Sequence, residues 1–542
     1  MEEVKNLNNE VVTLKADDFE FVHANEKIHD QKFETKPVSF LKDSIRRFAK
    51  NKASIVGGII IFIIILFSLF GPLAVPTSDA FKADFSSGND PFFKNLLPKA
   101  FETGTGFWDG CKWDDIKETN YLFTKYTDSN HPKIVIDDDE PNVSFDEITK
   151  VETVSYRCYV DTYAVGVRTL RTLSEKDYQA LVEYNESLAE DEKIMKPLID
   201  TFGYMERYQT ELAAEDKIAN LGQAMTVIST QYNSNDSIYY EIVFVKNAIG
   251  SYNTNKVVPK LDAEGNPIPI YKTDSEGNLV YAENDAGIYT VRVDYLDYFK
   301  FKYGYEPMFY FGTNHQGQDL FLRTANGAGF SLLLGLCVTV INFIIGLIWG
   351  AIAGYYGGKV DLLMERFTDI ISTIPSIVIM TLVSLNLKNN PSLGAAAPVI
   401  ALLVGFVATG WIGTSATTRM QFYRYKGQEY VLASRTLGAK DRRLIFRHIL
   451  PNAAGTLVTS TVLMIPSVIF SESTLTYLGI INLSLTNTTS LGTLLSEGQR
   501  VLMSEPYLII FPAVVISLLM ISFNLFGNGL RDAFNTTLRG ED

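Results

Sequence analysis

Residues 429–452 read EYVLASRTLGAKDRRLIFRHILPN, a polar and basic segment lodged between two long apolar runs. Leu432, Ala433, Ser434, Leu437, Gly438 and Ala439 share one short helical stretch in which small residues sit beside two leucines. Such a stretch presents an apolar ridge of low relief, which suits a partner's groove better than a solvated turn. Pro451 has no backbone N–H to give, so it is expected to end this loop where the next helix begins.

The surroundings are those of a membrane protein. Ile55 to Phe70 is apolar except for Gly57, Gly58 and Ser68, and its insertion into a bilayer should be favourable by about 5 kcal/mol. Extended over 53–75 it spans the membrane. A polar lead of some fifty residues excludes a cleaved signal peptide. Further runs lie near 329–355, 361–387, 395–417, 454–473 and 507–527, making six helices in all. Lys and Arg gather before the first helix (Lys42, Arg46, Arg47, Lys50), in the 428–452 loop (Arg435, Lys440, Arg442, Arg443, Arg447) and after the last helix (Arg531, Arg539). By the positive-inside rule both termini and that loop are expected in the cytoplasm. Phe40, Leu41, Ile45 and Phe48 line one side of a short helix over 37–52, which should lie along the inner leaflet and touch membrane lipid. Residues 1–36 read as an aperiodic cytoplasmic tail, and 533–542 as a second tail.

Charge is concentrated in one block. Residues 75–310 carry 40 acidic and 23 basic side chains, a balance of −17 against −14 for the whole 542-residue chain. Residues 76–306 contain no spanning run and are expected to form an extracellular domain inserted between the first and second helices. Ser174 and Asp177 open a capped helix; PIPIYK, NLVYAEN and GIYTVRVDYLDYF read as β-rich, with a turn over Ser275 to Asn278, so the insert is α+β. Tyr121, Tyr126, Tyr232, Tyr239 and Tyr240 fit either a docking face or core positions. Replacing 80–300 by a short linker is expected to leave the helical body folded. Cys111 and Cys158 fall in this block, and a disulfide or two free thiols both fit. The histidines are scattered without ligand spacing, so no metal site is expected, and nothing in the chain suggests a cofactor, catalytic residues or nucleic-acid binding.

With these features in place, the loop resembles the signature of ABC-importer permeases: Glu-Ala-Ala, three residues, Gly, nine residues, Ile, one residue, Leu-Pro. Started at Leu432 the spacing holds through Gly438 to Leu450-Pro451, with Leu432 in place of Glu and His448 in place of Ile. The oligopeptide and dipeptide branch is more similar, with Glu429-Tyr430-Val431, Leu437-Gly438-Ala439 and Arg447-His448-Ile449-Leu450-Pro451-Asn452. RFAKNKASIVGGIII from Arg47 resembles the opening of the C-type subunit; the segments from Phe311, Ala353, Ser471 and Phe523 also match. Asn314, His315, Gln318 and Asn528 depart from the pattern.

The resemblance implies a six-transmembrane-helix, type I ABC importer permease with a five-helix core over 307–532. It implies a B-type permease partner, two cytoplasmic ATPase subunits, an extracellular peptide-binding protein and a peptide substrate. Gly357 to Val360 read GGKV, not a phosphate-binding GK[ST], so ATP hydrolysis is assigned to the partners. Leu432, Ala433, Ser434, Leu437, Gly438 and Ala439 become the expected ATPase contact. Asp369 and Glu472, inside or beside apolar runs, are expected to face the bundle interior or the path, chiefly as structural hydrogen-bonding groups. Pro375 and Pro466 permit bending of their helices.

Overall fold

The computed structural model describes residues 2–5, 11–14, 40–73, 93–102, 104–117, 121, 135–146, 151–164, 167–200, 203–204, 206–207, 210, 240–246, 252–265, 267–304, 306–388, 396–481, 483 and 488–534. Near the start, β1 (Glu2–Lys5) pairs antiparallel with β2 (Val11–Leu14). Residues 2–5 and 11–14 of the segment read as aperiodic are thus paired strands, and the rest of 1–36 lies outside the described residues. Helix α1 (Phe40–Lys50) gives way at Asn51, whose side chain caps α2 (Lys52–Phe70) by accepting from the Ser54 N–H at 3.2 Å. In α1, Ile45 is exposed while Phe48 meets Phe526 edge to face at 5.2 Å, so one apolar residue of this helix packs on the bundle.

Among the described residues the insert holds two four-stranded antiparallel sheets and a separate two-stranded pair. In the first, β3 (Cys111–Lys117), β4 (Val135–Asp138) and β5 (Asn142–Asp146) all pair with the long β6 (Val151–Asp161). The second joins β7 (Val167–Ser174) to later strands, and Ser174 at its end caps α3 (Glu175–Ser187) by accepting from the Asp177 N–H, as its sequence requires. A short β8 (Met195–Lys196) and the pair β9 (Ile242–Lys246) and β10 (Tyr252–Pro259) follow, before β11 (Ala282–Asp285) and β12 (Ile288–Asp294) complete the second sheet. Residues 274–278 turn as expected, with Asp274 N–H donating to the Asn278 carbonyl at 2.9 Å. GIYTVRVDYLDYF is strand only to Asp294. There the Asp294 carboxylate accepts from the Leu296 and Asp297 N–H groups and starts α4 (Tyr295–Tyr303), closed by Gly304 at φ +76°. The local cap overrides the β propensity of the tyrosines.

Cys111 stands opposite Asp161 and Cys158 opposite Asp114 in the β3–β6 ladder. The two thiols are thus three positions apart along the strands, about 10 Å, and on opposite faces of the sheet. This distance rules out the disulfide, and all three cysteines are free. Of the tyrosines, Tyr121 is buried and stacked on Tyr156 at 3.8 Å, a core position; Tyr240 is half-buried, and Tyr126, Tyr232 and Tyr239 lie outside the described residues.

The body follows. Helix α5 (Leu320–Tyr356), α6 (Gly358–Ser372), α7 (Ser376–Lys388) and α8 (Ala397–Lys426) lead into α9 (Glu429–Thr436) and α10 (Asp441–Arg443), then a π-helical turn Leu444–Ile449. Helices α11 (Leu450–Val462), α12 (Met464–Tyr477), α13 (Leu491–Gln499) and α14 (Tyr507–Phe534) complete the chain. Among the described residues five helical segments are long and apolar enough to cross a membrane, and α6 with α7 makes a sixth if the pair, bent by 66°, is one span. Pro375 stands at that bend, and Pro466, in the first turn of α12, cannot donate back across the α11–α12 junction.

Helices α5 and α8 meet along a seam of glycines. Gly346, Gly350 and Gly354 recur every fourth residue, and a methyl group added at Gly346 or Gly354 would sit 2.7 Å from the carbonyl oxygen of Trp411 or Arg419. Backbones approach this closely only where no side chain intervenes, the packing that association within lipid favours.

Insert and body are knitted together. Phe93, Leu96 and Phe309 belong to the same buried cluster as Leu173, Val291 and Phe299 of the insert. Thr313 at the head of the body donates to the Phe93 carbonyl at 2.7 Å, and Tyr507 of α14 donates to the Thr313 carbonyl at 2.8 Å. The expectation that 80–300 can be removed cleanly therefore needs narrowing, since residues 93–110 brace the insert-bearing end of the bundle.

Candidate coupling site

The segment from Gln428 to Arg443 folds as a short helix, a left-handed turn and the start of the next helix. Val431 faces inward and is fully buried with Phe422, Leu444, Ile449, Ala351 and Tyr355, a cluster that draws on α5, α8, α9 and the π-turn together. Because α9 spends its one buried side chain on that anchor, the opposite side is left uncovered: Leu432 is 46 % exposed and Leu437 89 % exposed, with Ala433 exposed between them. Ser434 is half-buried and its hydroxyl donates to the Tyr430 carbonyl at 2.8 Å; Ala439 is half-buried and packs back onto the anchoring cluster.

Gly438 ends the helix. It stands at φ +82°, its N–H donates to the Arg435 carbonyl at 2.9 Å, and the Ala439 N–H reaches the Ser434 carbonyl at 3.1 Å. These two bonds make a Schellman close, which places a residue in the left-handed region where glycine is favoured. An added Cβ would meet nothing within 4 Å, so the requirement is conformational within this chain.

A polar pin reinforces the apolar anchor. The Tyr355 hydroxyl, at the end of α5, donates to the Asp441 carboxylate at 2.5 Å and accepts from the Arg435 guanidinium at 3.2 Å. One phenol thus ties both limbs of the segment to a spanning helix. A second polar knot lies at the same end of the bundle. Arg419 of α8 donates to Asp361 at 2.8 Å and, with two nitrogens, to Glu365 at 2.9 Å, fastening α8 to α6; Lys426 donates to the Gly354 carbonyl at 2.8 Å. Neither Tyr355 nor Arg419 stood out in the sequence, since a tyrosine closing an apolar run also reads as an interfacial residue and the carboxylates of Arg419 lie 54 and 58 positions away.

Two expected positions behave differently from their sequence reading. Pro451 does not end a loop: helix starts ten residues earlier at Asp441, and the π-helical Leu444–Ile449 runs directly into α11, with Pro451 in its first turn. The wider π-turn accommodates the missing N–H without breaking the rod. Asp369 is not in the bundle interior of this chain; it is exposed and pairs with Arg366 at 3.1 Å, one turn away on α6. Glu472 is fully buried, and its carboxylate accepts from Ser331 of α5 at 2.9 Å and from Ser473 and Thr476 of its own helix at 3.3 Å. Those hydroxyls supply the partners a carboxyl needs away from water. At the insert-bearing end, Arg323 of α5 pairs bidentately with Glu497 of α13, and Asn314 turns its amide onto Gln318 at 2.9 Å, so two of the residues that depart from the family pattern form a closed polar turn.

Residues 39–98 match the family described as the N-terminal TM domain of oligopeptide transport permease C, and 344–540 match the binding-protein-dependent transport system inner membrane component. The chain is 39 % identical over 231 residues to the oligopeptide transport system permease protein OppC of Bacillus subtilis (strain 168), covering 42 % of this chain and 72 % of that protein. The chain belongs to the C-type permeases of the oligopeptide and dipeptide ABC importer family. The permease is also 38 % identical over 232 residues to the dipeptide transport system permease protein DppC of the same organism, covering 42 % of this chain and 69 % of that protein. Among solved structures it is similar to a chain of the inward-facing MetNI methionine ABC transporter, at 16 % identity and a TM-score of 0.30 over 39 % of this chain and 94 % of that one. The body of the permease has the type I ABC permease fold, and its α+β insert, residues 111–303, falls between the two matched regions.

Proposed function

We propose that this permease is the C-type subunit of an ATP-driven oligopeptide importer. It forms half of a translocation path with a B-type permease subunit, receives peptide from an extracellular binding protein, and is driven by two cytoplasmic ATPase subunits. The observation that carries this reading is the clamped segment 428–452: its inward side is locked to two spanning helices while Leu432 and Leu437 stand uncovered. An apolar ridge on a rigid mount suits a groove on a neighbouring subunit. It also suits transmission, because closure of the ATPases would displace α5 and α8 without slack. In this reading the multi-pass chain lies in the plasma membrane with both termini cytoplasmic and residues 76–306 outside, so the acidic insert faces the binding protein. Asp369, exposed here, is free to face the path between the two permease subunits.

Dipeptide import is the second reading, favoured by the nearly equal likeness to a DppC protein; nickel import and a membrane-anchored receptor have no such support. Purification of the tagged permease from its native membrane, followed by reconstitution, tests the proposal. Two ATPases and a second permease should copurify, and uptake of labelled peptides of graded length should require ATP and the binding protein. Uptake restricted to dipeptides would select the second reading, and absence of any ATPase from the purified assembly would overturn both.

A further inference from the structure

The insert-bearing end of the bundle carries an aromatic feature that transport as such does not explain. Residues 98–101 and 108–110 run antiparallel: the Ala100 N–H donates to the Trp108 carbonyl at 2.8 Å and the Gly110 N–H to the Pro98 carbonyl at 3.1 Å. The base of this hairpin is rigid. The Asp109 carboxylate is buried and accepts from the Gly106 N–H at 2.8 Å, the Cys111 N–H at 3.1 Å and the Tyr159 hydroxyl at 2.7 Å. Gly110 lies at φ +79°, pressed against the ring of the buried Tyr163. The tip of this rigid mount holds two bare phenylalanines, Phe101 at 53 % and Phe107 at 66 % exposure, their rings 6.2 Å apart.

Where the tip stands follows from Trp108. Its indole N–H donates to the Tyr310 carbonyl at 2.5 Å, and its ring lies 5.7 Å from Phe511, in the second turn of α14. Phe511 stacks on Phe311 at 4.0 Å, and Phe311 lies 6.5 Å from Phe67 in the last turn of α2. An unbroken row of rings therefore runs from the ends of two spanning helices to the hairpin tip. This is the level at which chains leave hydrocarbon for water, where aromatic side chains are enriched. Lys99, at the base of the hairpin, lies over the Tyr163 ring at 4.6 Å, and Glu102 is the only charge among the described residues of the tip.

We infer that this hairpin is a bilayer contact, with Phe101 and Phe107 seated among the lipids of the leaflet at the insert-bearing end and Trp108 at the headgroup boundary. The occupant is phospholipid because the row of rings reaches the end of α2, an apolar helix of spanning length on which Phe62, Leu69 and Phe70 are exposed, and because a bare phenylalanine pair has little to gain in water. The contact would fix the insert's tilt over the mouth of the path.

The test uses the complete transporter in phospholipid nanodiscs, with Phe107 replaced by benzoylphenylalanine and the photoproducts identified by mass spectrometry. Phospholipid should be the major adduct. Cross-linking chiefly to the second permease subunit or to the binding protein would overturn the proposal in favour of a protein contact, and absence of any adduct would overturn it in favour of solvent. A Phe101→Ser/Phe107→Ser variant supplies the second measurement: backbone exchange over 104–110 should quicken roughly tenfold in nanodiscs while exchange within α5 stays unchanged. Unchanged exchange at the tip, or quickened exchange in α5 as well, would equally refute a lipid seat.

Discussion

Replacing Tyr355 by Phe separates the polar pin of the 428–443 segment from its apolar anchor. The ring stays in its cluster with Val431, Phe422 and Leu444, so no cavity is opened and the fold should persist. What is lost is one hydrogen bond to the Asp441 carboxylate at 2.5 Å and one weaker bond from Arg435 at 3.2 Å. Hydrogen bonds to charged groups contribute about 1.5 to 3 kcal/mol, and the exposure of Asp441 places this pair at the lower limit. A loss of about 1.5 kcal/mol weakens the docked state of the segment relative to a loosened one by roughly tenfold. Its consequence should fall on coupling. In proteoliposomes with the full complex and binding protein, ATP hydrolysis should continue while peptide taken up per ATP drops several-fold. Asp441→Asn, whose amide oxygen can still accept from the phenol, should show the same defect in milder form. An uptake-to-hydrolysis ratio equal to wild type in Tyr355→Phe would refute the pin, and a parallel fall in both activities with less assembled complex would show that the hydroxyl matters for folding instead.

Four further outcomes follow from the geometry. Gly438→Asp should uncouple uptake from hydrolysis, because it combines a left-handed backbone at φ +82° with a charge beside the exposed Leu437; Gly438→Ala, which brings only backbone strain of about 1 kcal/mol, should couple far better, and equal defects in the two would remove the charge from the argument. Gly350→Val should prevent close approach of α5 and α8 and abolish assembly in a thermal-shift assay of the detergent-purified complex, whereas normal assembly would show that the seam can open without cost. Cys111 and Cys158 should stay reduced in air; burial, with the nearby Asp161 charge, pushes the Cys111 thiol up to about 11, so at pH 8 its alkylation should be far slower than that of a free peptide thiol, and a mobility shift on non-reducing gels would contradict the strand register. Excising 112–160 and joining Cys111 to Asp161 through a short turn should leave the body folded, since those residues are direct cross-strand partners, and should weaken salt-sensitive association of the binding protein if the acidic sheet docks it; removing 80–300 should instead destabilise the bundle through loss of Phe93 and Leu96.

Local patterns made much of this chain legible before any fold was known. Apolar runs of spanning length, flanked by lysine and arginine, dictate membrane helices because the backbone in hydrocarbon must satisfy itself within each segment. The capped start of α3 at Ser174 and the spacing from Leu432 through Gly438 to Pro451 are equally local, since caps and turns involve neighbours three to six residues apart. Other features needed the tertiary structure. The π-turn before Pro451 converted an expected loop end into a continuous rod. The β3–β6 register parted two cysteines that composition alone could have joined. Tyr355, Arg419 and the aromatic row from Phe67 to Phe107 acquire meaning only because distant segments converge, bringing to one place partners that are 54 to 86 residues apart for the polar groups and several hundred for the rings. Side-chain chemistry over such separations has no period along the chain, so packing alone decides which charge finds its partner and which phenylalanine is left for the lipid.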